Sequence, residues 1–359
     1  MANAFDWRSF AVRDAHKRKL GLKLSDIARL AGVSVTTASY VINGKAAQQR
    51  ISDTTVARVR AVVEEHGFTP NPQAAGLRSQ RTRTLGFILP DLENPSYARI
   101  AKNLEQQARA RGYQLLIASS DDDPDSERQL QKLFRARRCD ALFVASCLPA
   151  ADGCYREIQS RGTPVIAIDR QMDPALFCSV ISDDREAARV LTASLLNPAL
   201  SGPPPRHIAL IGARPELSIS VERAGGFADA LSDFSGTVLV REGEAFSRDR
   251  GQRLMSELVE ELGGLPDALV TTSYVLLQGV FDELQRRGLG APDLRLGTFG
   301  DTQLLDFLPL PINAMAQQHE LIAARALELA LGALEEKVCR PGVHAIARTF
   351  KQRLKEGQA

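Results

Sequence analysis

From Leu24 onward, apolar side chains recur at Leu24, Ile27, Ala28 and Ala31, the i, i+3, i+4, i+7 stripe of an amphipathic helix. Ser25 and Asp26 suit its first turn and Gly32 its end. Ser34 then caps a second helix through Val35–Asn43, with Ala38, Val41 and Ile42 facing inward. Two short helices joined by a Gly-containing turn predict a helix-turn-helix. Small residues at Ala28, Ala31 and Ala38 let the two cross closely. A third helix starts at Ser52, turns Val56, Val59 and Val63 inward, and ends at Gly67.

After Thr84 the pattern changes to short apolar runs separated by amphipathic segments. Predicted strands are Leu85–Leu89, Gln114–Ala118, Ala141–Ala145, Val165–Asp169, Ser179–Ser182, His207–Ile211, Ala268–Thr272 and Arg295–Phe299. Helices between them include Tyr97–Arg111, Ser126–Arg137, Asp184–Leu196 and Val221–Ser232. Such alternation predicts parallel sheets covered by helices on both faces. So many strands in one chain imply two sheets in tandem. The fold class is therefore an α-helical helix-turn-helix head on an α/β body of two parallel-sheet subdomains.

Composition adds limits. The 359 residues, 44% hydrophobic and 25% charged, fit a globular protein of two or three compact units. No apolar run is long enough for a transmembrane helix, so no membrane partner is expected. The basic segment Met1–Lys23 has no apolar core of signal-peptide type, which argues for a cytosolic location. Five cysteines (139, 147, 154, 178, 339) show no CxxC spacing. Reduced thiols are expected, not a disulfide frame or a metal site.

The net charge of +2 hides an asymmetry. Residues 1–83 carry 14 Lys/Arg against 6 Asp/Glu, and the remainder carries 31 against 37. A basic head on an acidic body points the head at a polyanion. With Ala38, Val41 and Ile42 inward, Val35, Thr36, Ser39 and Tyr40 face out. Such side chains at the start of the second helix read base edges in a major groove. Candidate DNA contacts are Ser34, Val35, Thr36, Thr37, Ser39, Tyr40, Asn43 and Arg50, with Lys45, Arg58 and Arg60 also available to phosphates. A generic three-helix bundle would explain the apolar stripes but not this outward polar face.

Ligands of parallel α/β sheets sit beyond the carboxyl ends of the strands. Those loops hold Asp91, Asn94, Ser96 and Tyr97; Asp169 and Arg170; Ser218, Ser220 and Arg223; Thr271, Thr272 and Ser273; and Phe299, Gly300 and Asp301. The set suits a phosphorylated sugar. Ser218, Ser220 and Arg223 offer hydroxyls and a guanidinium to phosphate at a helix start. Asp169, Asp301 and Gln317 offer acceptors and an amide to sugar hydroxyls, and Tyr97 can cover the ring. The candidate effector residues are Ser96, Tyr97, Asp169, Arg170, Ser218, Ser220, Arg223, Ser273, Asp301 and Gln317. Each loop residue alone is equally a helix cap or a surface charge. No strand is followed by GxGxxG, and GxxxxGK[ST], GxSxG and HExxH do not occur, so the chain carries no recognised catalytic signature and no catalytic residue is assigned.

Two stretches, LSDIARLAGVSVTTASYVING and RISDTTVARVRAVVEEHGFTPNPQAAGLRSQRTRTLGFILPD, resemble the N-terminal half of a LacI-family repressor. ASYVINGKA, the AAQQR loop and AAGLR resemble the fructose-repressor branch of that family. The resemblance runs from about Leu22 to about Arg353. It implies a periplasmic-binding-protein-like body whose chain crosses between subdomains near Ser182–Asp184, Leu310–Ala316 and Val338–Ile346. The implied organisation is an extension (1–22) expected to be disordered or misassigned, a DNA-binding domain (23–69) and a hinge (70–83). An effector-binding and dimerisation domain (84–346) follows, its first subdomain at 84–182 and 316–340 and its second at 184–312, and then a tail (347–359).

The resemblance also implies that the hinge folds on DNA, with Leu77 wedged into the minor groove and Ala74 packed beside it. It places Arg223 and Asp169 on the effector. Fructose 1-phosphate is the implied effector, with fructose 1,6-bisphosphate as the alternative, and no cofactor is implied. A homodimer would bind palindromic operator DNA, a tetramer being left open by the sequence, and the dimer would form through the first subdomain with Tyr97–Arg111 as a candidate. Other readings are a regulator answering a different small ligand, or a sugar carrier. Two positions depart from the pattern: Val35 stands where fructose repressors can carry Arg, and Phe299-Gly300-Asp301 sets the acid one residue later than the usual Tyr-Asp.

Overall fold

The computed structural model describes residues 22–68, 81–149, 151–200, 203–290 and 294–354. Residues 1–21 of the extension, Ala74 and Leu77 lie outside them. The chain divides after Thr82 into a head and a body.

In the head, α1 (Leu24–Leu30), α2 (Val35–Ile42) and α3 (Asp53–Glu65) follow the predicted stripes. Ile27, Ala31, Val41 and Val59 form the buried centre, with Ile42, Val56 and Val63 packed around it. Ser34 and Ser52 cap α2 and α3 by accepting from Thr37 N–H and Thr55 N–H, which satisfies donors that a helix start leaves open.

The body opens with β1 (Thr84–Leu89), α4 (Pro95–Ala110), β2 (Gln114–Ser119), α5 (Pro124–Ala136), β3 (Ala141–Val144), α6 (Cys154–Ser160), β4 (Val165–Ile168) and β5 (Cys178–Ser182). It continues with α7 (Asp184–Leu196), β6 (His207–Ala213), α8 (Ser218–Ala230), β7 (Thr237–Gly243), α9 (Arg248–Leu262), β8 (Ala268–Thr271), α10 (Tyr274–Arg286), β9 (Arg295–Phe299) and β10 (Ile312–Ala316). Last come α11 (His319–Glu336), β11 (Gly342–Ile346) and β12 (Thr349–Lys351).

Two six-stranded sheets result, ordered β11-β5-β4-β3-β1-β2 and β12-β10-β9-β8-β6-β7. All pairings are parallel except β10 with β12. The inner strands of each sheet are buried on both faces, which is why they read as apolar runs. Leu85, Phe87 and Leu89 of β1 meet α4 and α11 on one face, while Ile88 meets Phe134 and Tyr155 on the other. In the second sheet, Ile211 packs with α9 and α10, whereas Ile208 and Leu210 pack with α7 and α8. The apolar side of α4 (Tyr97, Ile100, Leu104, Ala108) is spent on its own subdomain, so its outer face offers a partner polar groups.

Three boundaries differ from the sequence reading. The first crossing falls at Asp183, as expected. Ile312–Ala316 is a strand of the second sheet, so the second crossing is Gln317–Gln318 and not Leu310–Ala316. Gly342–Ile346 is a strand of the first sheet, so the third crossing is Ala347–Arg348 and not Val338–Ile346. Residues 349–354 of the expected tail belong to the second subdomain: Thr349–Lys351 pairs with β10, and Asn313 Oδ1 accepts from Arg353 N–H and Leu354 N–H at 2.7 and 2.9 Å. Among the described residues no helix is long and apolar enough to cross a membrane.

Helices α9 and α10 are tied by charge. Glu283, 1% exposed, accepts from Arg286 Nη2 at 2.6 Å and from Arg287 Nε at 2.5 Å, and Arg287 Nη2 donates to Ser256 Oγ at 2.9 Å. The Arg286 hydrogen bond, then that of Arg287, outweighs burial and pulls the carboxyl from its ordinary 4.5 down to about 2. A carboxyl lowered by folding stabilises the fold above its unfolded value and loses that contribution as pH falls toward its folded one. Thermal scans from pH 7 to pH 2 should therefore show wild type losing stability below about pH 4.5. Glu283→Gln should lower the midpoint at pH 7 and flatten this acid limb. Parallel pH profiles for the two proteins would refute the assignment.

Candidate functional site

On the head, Val35 and Thr36 are exposed, and Ser39 and Tyr40 are half-buried beside them. Ser34 and Thr37 are engaged in the cap, their hydroxyls 2.8 Å apart. Asn43 donates its side-chain N–H to the Ser39 carbonyl at 2.7 Å, fixing the end of α2. Lys45, Arg50, Arg58 and Arg60 are exposed. The predicted outward face is thus present, with Val35 and Thr36 its most open members.

In the body, a cleft between the two subdomains encloses about 770 Å³ of empty space, the solvent at its mouth included. Its lining includes first-turn or capping residues of three helices: Asn94, Pro95 and Ser96 of α4, Ile219 of α8, and Ser273 and Tyr274 of α10. Helix starts present N–H groups and the positive end of the backbone dipole. Ser96, Tyr97, Asp169, Arg170, Arg223, Ser273, Asp301 and Gln317 all line this cleft.

Arg223 is held on all sides. It donates from Nε and Nη2 to Asp184 at 3.2 and 3.3 Å, and from Nη1 to the Thr272 carbonyl at 2.8 Å. Its guanidinium lies 4.6 Å from the centre of the Phe299 ring, a favourable cation–π distance. The local sequence makes this possible at Gly226, where a Cβ would fall 1.9 Å from the Arg185 carbonyl oxygen. Glycine lets α8 cross α7 with backbone against backbone, which brings Arg223 onto the first residue of α7.

Asp169 faces the cleft at the end of β4, with φ +66°. It accepts from Tyr97 Oη and from Gln317 Nε2, each at 2.7 Å. Burial would raise its carboxyl, but Arg223, Arg348 and the two hydrogen bonds outweigh that and hold it below its usual range. Burial and then Asp169 push the Tyr97 phenol well above its ordinary value, so it stays a donor. Arg170 is paired in a fork with Asp122 at 2.5 and 3.0 Å. Arg170 Nε and Thr272 Oγ1 are buried without a hydrogen-bond partner, and both residues line the cleft.

The remaining expectations divide. Gln317 also donates to Ser182 Oγ at 3.1 Å. Ser96 lies 3.4 Å from His319 Nε2, and burial, then Arg99 and Arg348, push that imidazole down to about 4, so it is neutral at pH 7. Ser273 caps α10. The Asp301 carboxylate is taken by Arg353 at 2.9 Å, while its carbonyl accepts from Arg99 Nη1 at 2.7 Å. Ser218 and Ser220 do not fit the phosphate role expected of them, because neither lines the cleft. Ser220 is buried and donates to the Ala213 carbonyl at 2.6 Å, closing α8 onto β6. Ser218 Oγ accepts from Gln171 N–H at 3.2 Å and so bridges the subdomains.

The sequence reading missed Asp122, Asp184 and Arg348 as members of this network. Arg348, on the third crossing, donates to Asp184 at 2.7 Å and stacks 5.1 Å from the Phe299 ring centre. Asp122 follows β2 at the same strand-end position that drew attention elsewhere, a signal present in the run Asp121–Asp123.

A helix-turn-helix head and a two-subdomain α/β body with a polar inter-subdomain cleft define an effector-responsive DNA-binding regulator. Comparison with known proteins agrees. Residues 23–71 match the model of bacterial regulatory proteins of the lacI family, and residues 82–298 match that of periplasmic binding proteins and the sugar-binding domain of the LacI family. The chain belongs to the LacI family, whose members are transcriptional regulators and not enzymes. It is 48% identical over 332 residues to the fructose operon regulatory protein of Vibrio cholerae serotype O1, covering 92% of this chain and 100% of that one. It is 45% identical over 334 residues to the catabolite repressor/activator of Escherichia coli strain K12, covering 92% and 98%. The crystal structure of the Cra transcriptional dual regulator from Pseudomonas putida in complex with fructose 1-phosphate shares 74% identity, with a TM-score of 0.73, over 76% of this chain and 99% of that one.

Proposed function

We propose that this chain regulates genes of fructose and central carbon metabolism by binding a palindromic operator as a homodimer and leaving it when fructose 1-phosphate fills the cleft. The observation that carries the reading is Arg223, locked against Asp184 and the Thr272 carbonyl beside the first turn of α10. A guanidinium held in one orientation next to helix N–H groups suits a phosphate monoester. Asp169, with Tyr97 and Gln317 fixing it, suits sugar hydroxyls, and Arg170 Nε and Thr272 Oγ1 supply donors that the protein itself leaves unused.

Charge favours one phosphate over two. The lining holds Arg99, Arg170, Arg223 and Arg348 against Asp91, Asp122, Asp169 and Asp301, which leaves formal charge balanced. Helix starts then carry the burden of a single group of about −1.5 to −2, and a second phosphate has no surplus cation to meet. The likeness to a fructose operon regulatory protein and to a Cra structure in complex with fructose 1-phosphate supports the same ligand.

On the DNA side, Val35, Thr36, Ser39 and Tyr40 read base edges while Lys45, Arg50, Arg58 and Arg60 hold phosphates, and Leu77 with Ala74 engages the minor groove. The dimer's two-fold axis sets half-site spacing. Effector and operator weaken each other by the same factor.

Calorimetric titration of the purified chain with fructose 1-phosphate, fructose 1,6-bisphosphate and free fructose tests the effector. Fructose 1-phosphate should bind most tightly, and free fructose, lacking the charged group, about 100-fold or more weakly. Equal affinity for fructose and its 1-phosphate would remove the phosphate site. Operator affinity unchanged at saturating effector would reject the switch while leaving DNA binding intact.

A further inference from the structure

Cys178 and Cys339 face each other in the first subdomain, away from the cleft. Cys178 opens β5, is 2% exposed, and is in register with Gly342 of β11. Cys339 lies in the turn between α11 and β11 and is partly exposed. Their sulfurs are 3.7 Å apart, and the Cys178 thiol points at the Arg340 carbonyl at 2.5 Å. A disulfide has sulfurs about 2.05 Å apart, so side-chain rotation within the turn can bring them together. Cys339 belongs to neither the helix before it nor the strand after it, so no ladder has to break.

The other thiols contrast with this pair. Burial pushes Cys139 up to about 11 and Cys147 and Cys154 up to about 12, which keeps them protonated and inert. The contact between the two sulfurs raises Cys178, with burial adding to the rise, and pulls Cys339 down to about 7, so the more open member of the pair is the better nucleophile.

We propose that Cys178 and Cys339 form a reversible dithiol–disulfide couple oxidised by hydrogen peroxide. The Cys339 thiolate attacks one peroxide oxygen, the O–O bond breaks, and a sulfenic acid forms while the departing hydroxide takes up the proton released by Cys339 and becomes water. Cys178 sulfur then attacks the sulfenic sulfur. The S–O bond breaks, and hydroxide leaves with the Cys178 proton as a second water. Two thiols are oxidised, one hydrogen peroxide is reduced by two electrons, and an external thiol restores the pair. The bond joins β5 to the turn before β11, the two strands that run into the first and third crossings.

The test is thiol mapping on the full-length chain. After hydrogen peroxide, alkylation and proteolysis, mass spectrometry should find one disulfide-linked peptide pair containing Cys178 and Cys339, lost on treatment with dithiothreitol. Cys139, Cys147 and Cys154 should remain alkylatable after unfolding. Cys178→Ser should leave Cys339 as a sulfenic acid that dimedone traps, and Cys339→Ser should leave Cys178 reduced. Recovery of both thiols unoxidised, or pairing of Cys339 with another cysteine or another chain, would overturn the proposal. The wild-type map decides the matter even where a variant folds poorly.

Discussion

Asp184→Asn is expected to cost the body more stability than any other single charge removal in the cleft. Asp184 is 4% exposed and sits between two buried cations, Arg223 and Arg348. Removing the carboxylate charge keeps the shape but leaves two guanidiniums facing each other out of water. Breaking a buried ion pair in this way costs about 3–5 kcal/mol. For a body of this size each kilocalorie corresponds to roughly 2–4 °C, so the thermal midpoint should fall by about 10 °C. Burial already pulls Arg348 below its ordinary value, and Arg223 adds to the fall, with Asp184 the main opposing charge. The variant's deficit should therefore shrink in Asp184→Asn combined with Arg348→Met, which removes one of the orphaned cations. A midpoint within about 2 °C of wild type would mean that the pairs contribute no more than surface ones.

Arg223→Ala is expected to uncouple effector from operator. Operator affinity without effector should stay near wild type, because Arg223 lies in the body and the proposed base readers lie on α2. Effector binding should weaken about 100-fold or more, the scale for truncating one partner of a buried hydrogen-bonded charge pair. Saturating fructose 1-phosphate for wild type should then release little of the variant from DNA, as read by fluorescence anisotropy on a labelled operator. Arg223→Lys keeps the charge but not the fork that grips Asp184, and should fall between the two. A normal release curve for Arg223→Ala would remove this residue from the effector site.

How much of this was legible in the sequence depends on where burial alternates cleanly. The head was, because each helix has one apolar stripe and α2 and α3 each have a serine cap at the start. The central strands were, because burial on both faces makes them continuous apolar runs. Strand β7 was not: it lies at a sheet edge with Val238 and Val240 outward, so its pattern lacks the solid core signal. Strands β11 and β12 are short edge strands of mixed polarity, and missing them turned a crossing into a tail. That error hid Arg348, whose role depends on lying between them.

At the site, strand-end position found most cleft residues but could not separate a hydroxyl facing a ligand from one turned into its own helix. Ser220 and Ser273 stand at equivalent places in sequence, one or two residues from a helix start. Only Ser273 reaches the cleft, because Ser220 finds the Ala213 carbonyl behind it. In sequence Asp184 reads as part of a crossing and not as a counter-ion, since its partners lie 39 and 164 residues away.

Each crossing between the subdomains carries a polar residue of the cleft network: Asp184, the buried partner of Arg223 and Arg348, follows the first, and Gln317 on the second and Arg348 on the third line the cleft. The residues proposed to meet the ligand are thus also the places where the chain passes between subdomains. Redesign of this regulator for another sugar faces a trade-off in consequence. A substitution that reshapes recognition at Gln317 or Arg348 also resets the resting balance between open and closed forms, so a variant selected for a new inducer is expected to show altered basal expression before any inducer is added. Screens that score induction ratio alone would discard such variants, whereas screens that record the uninduced level would reveal them.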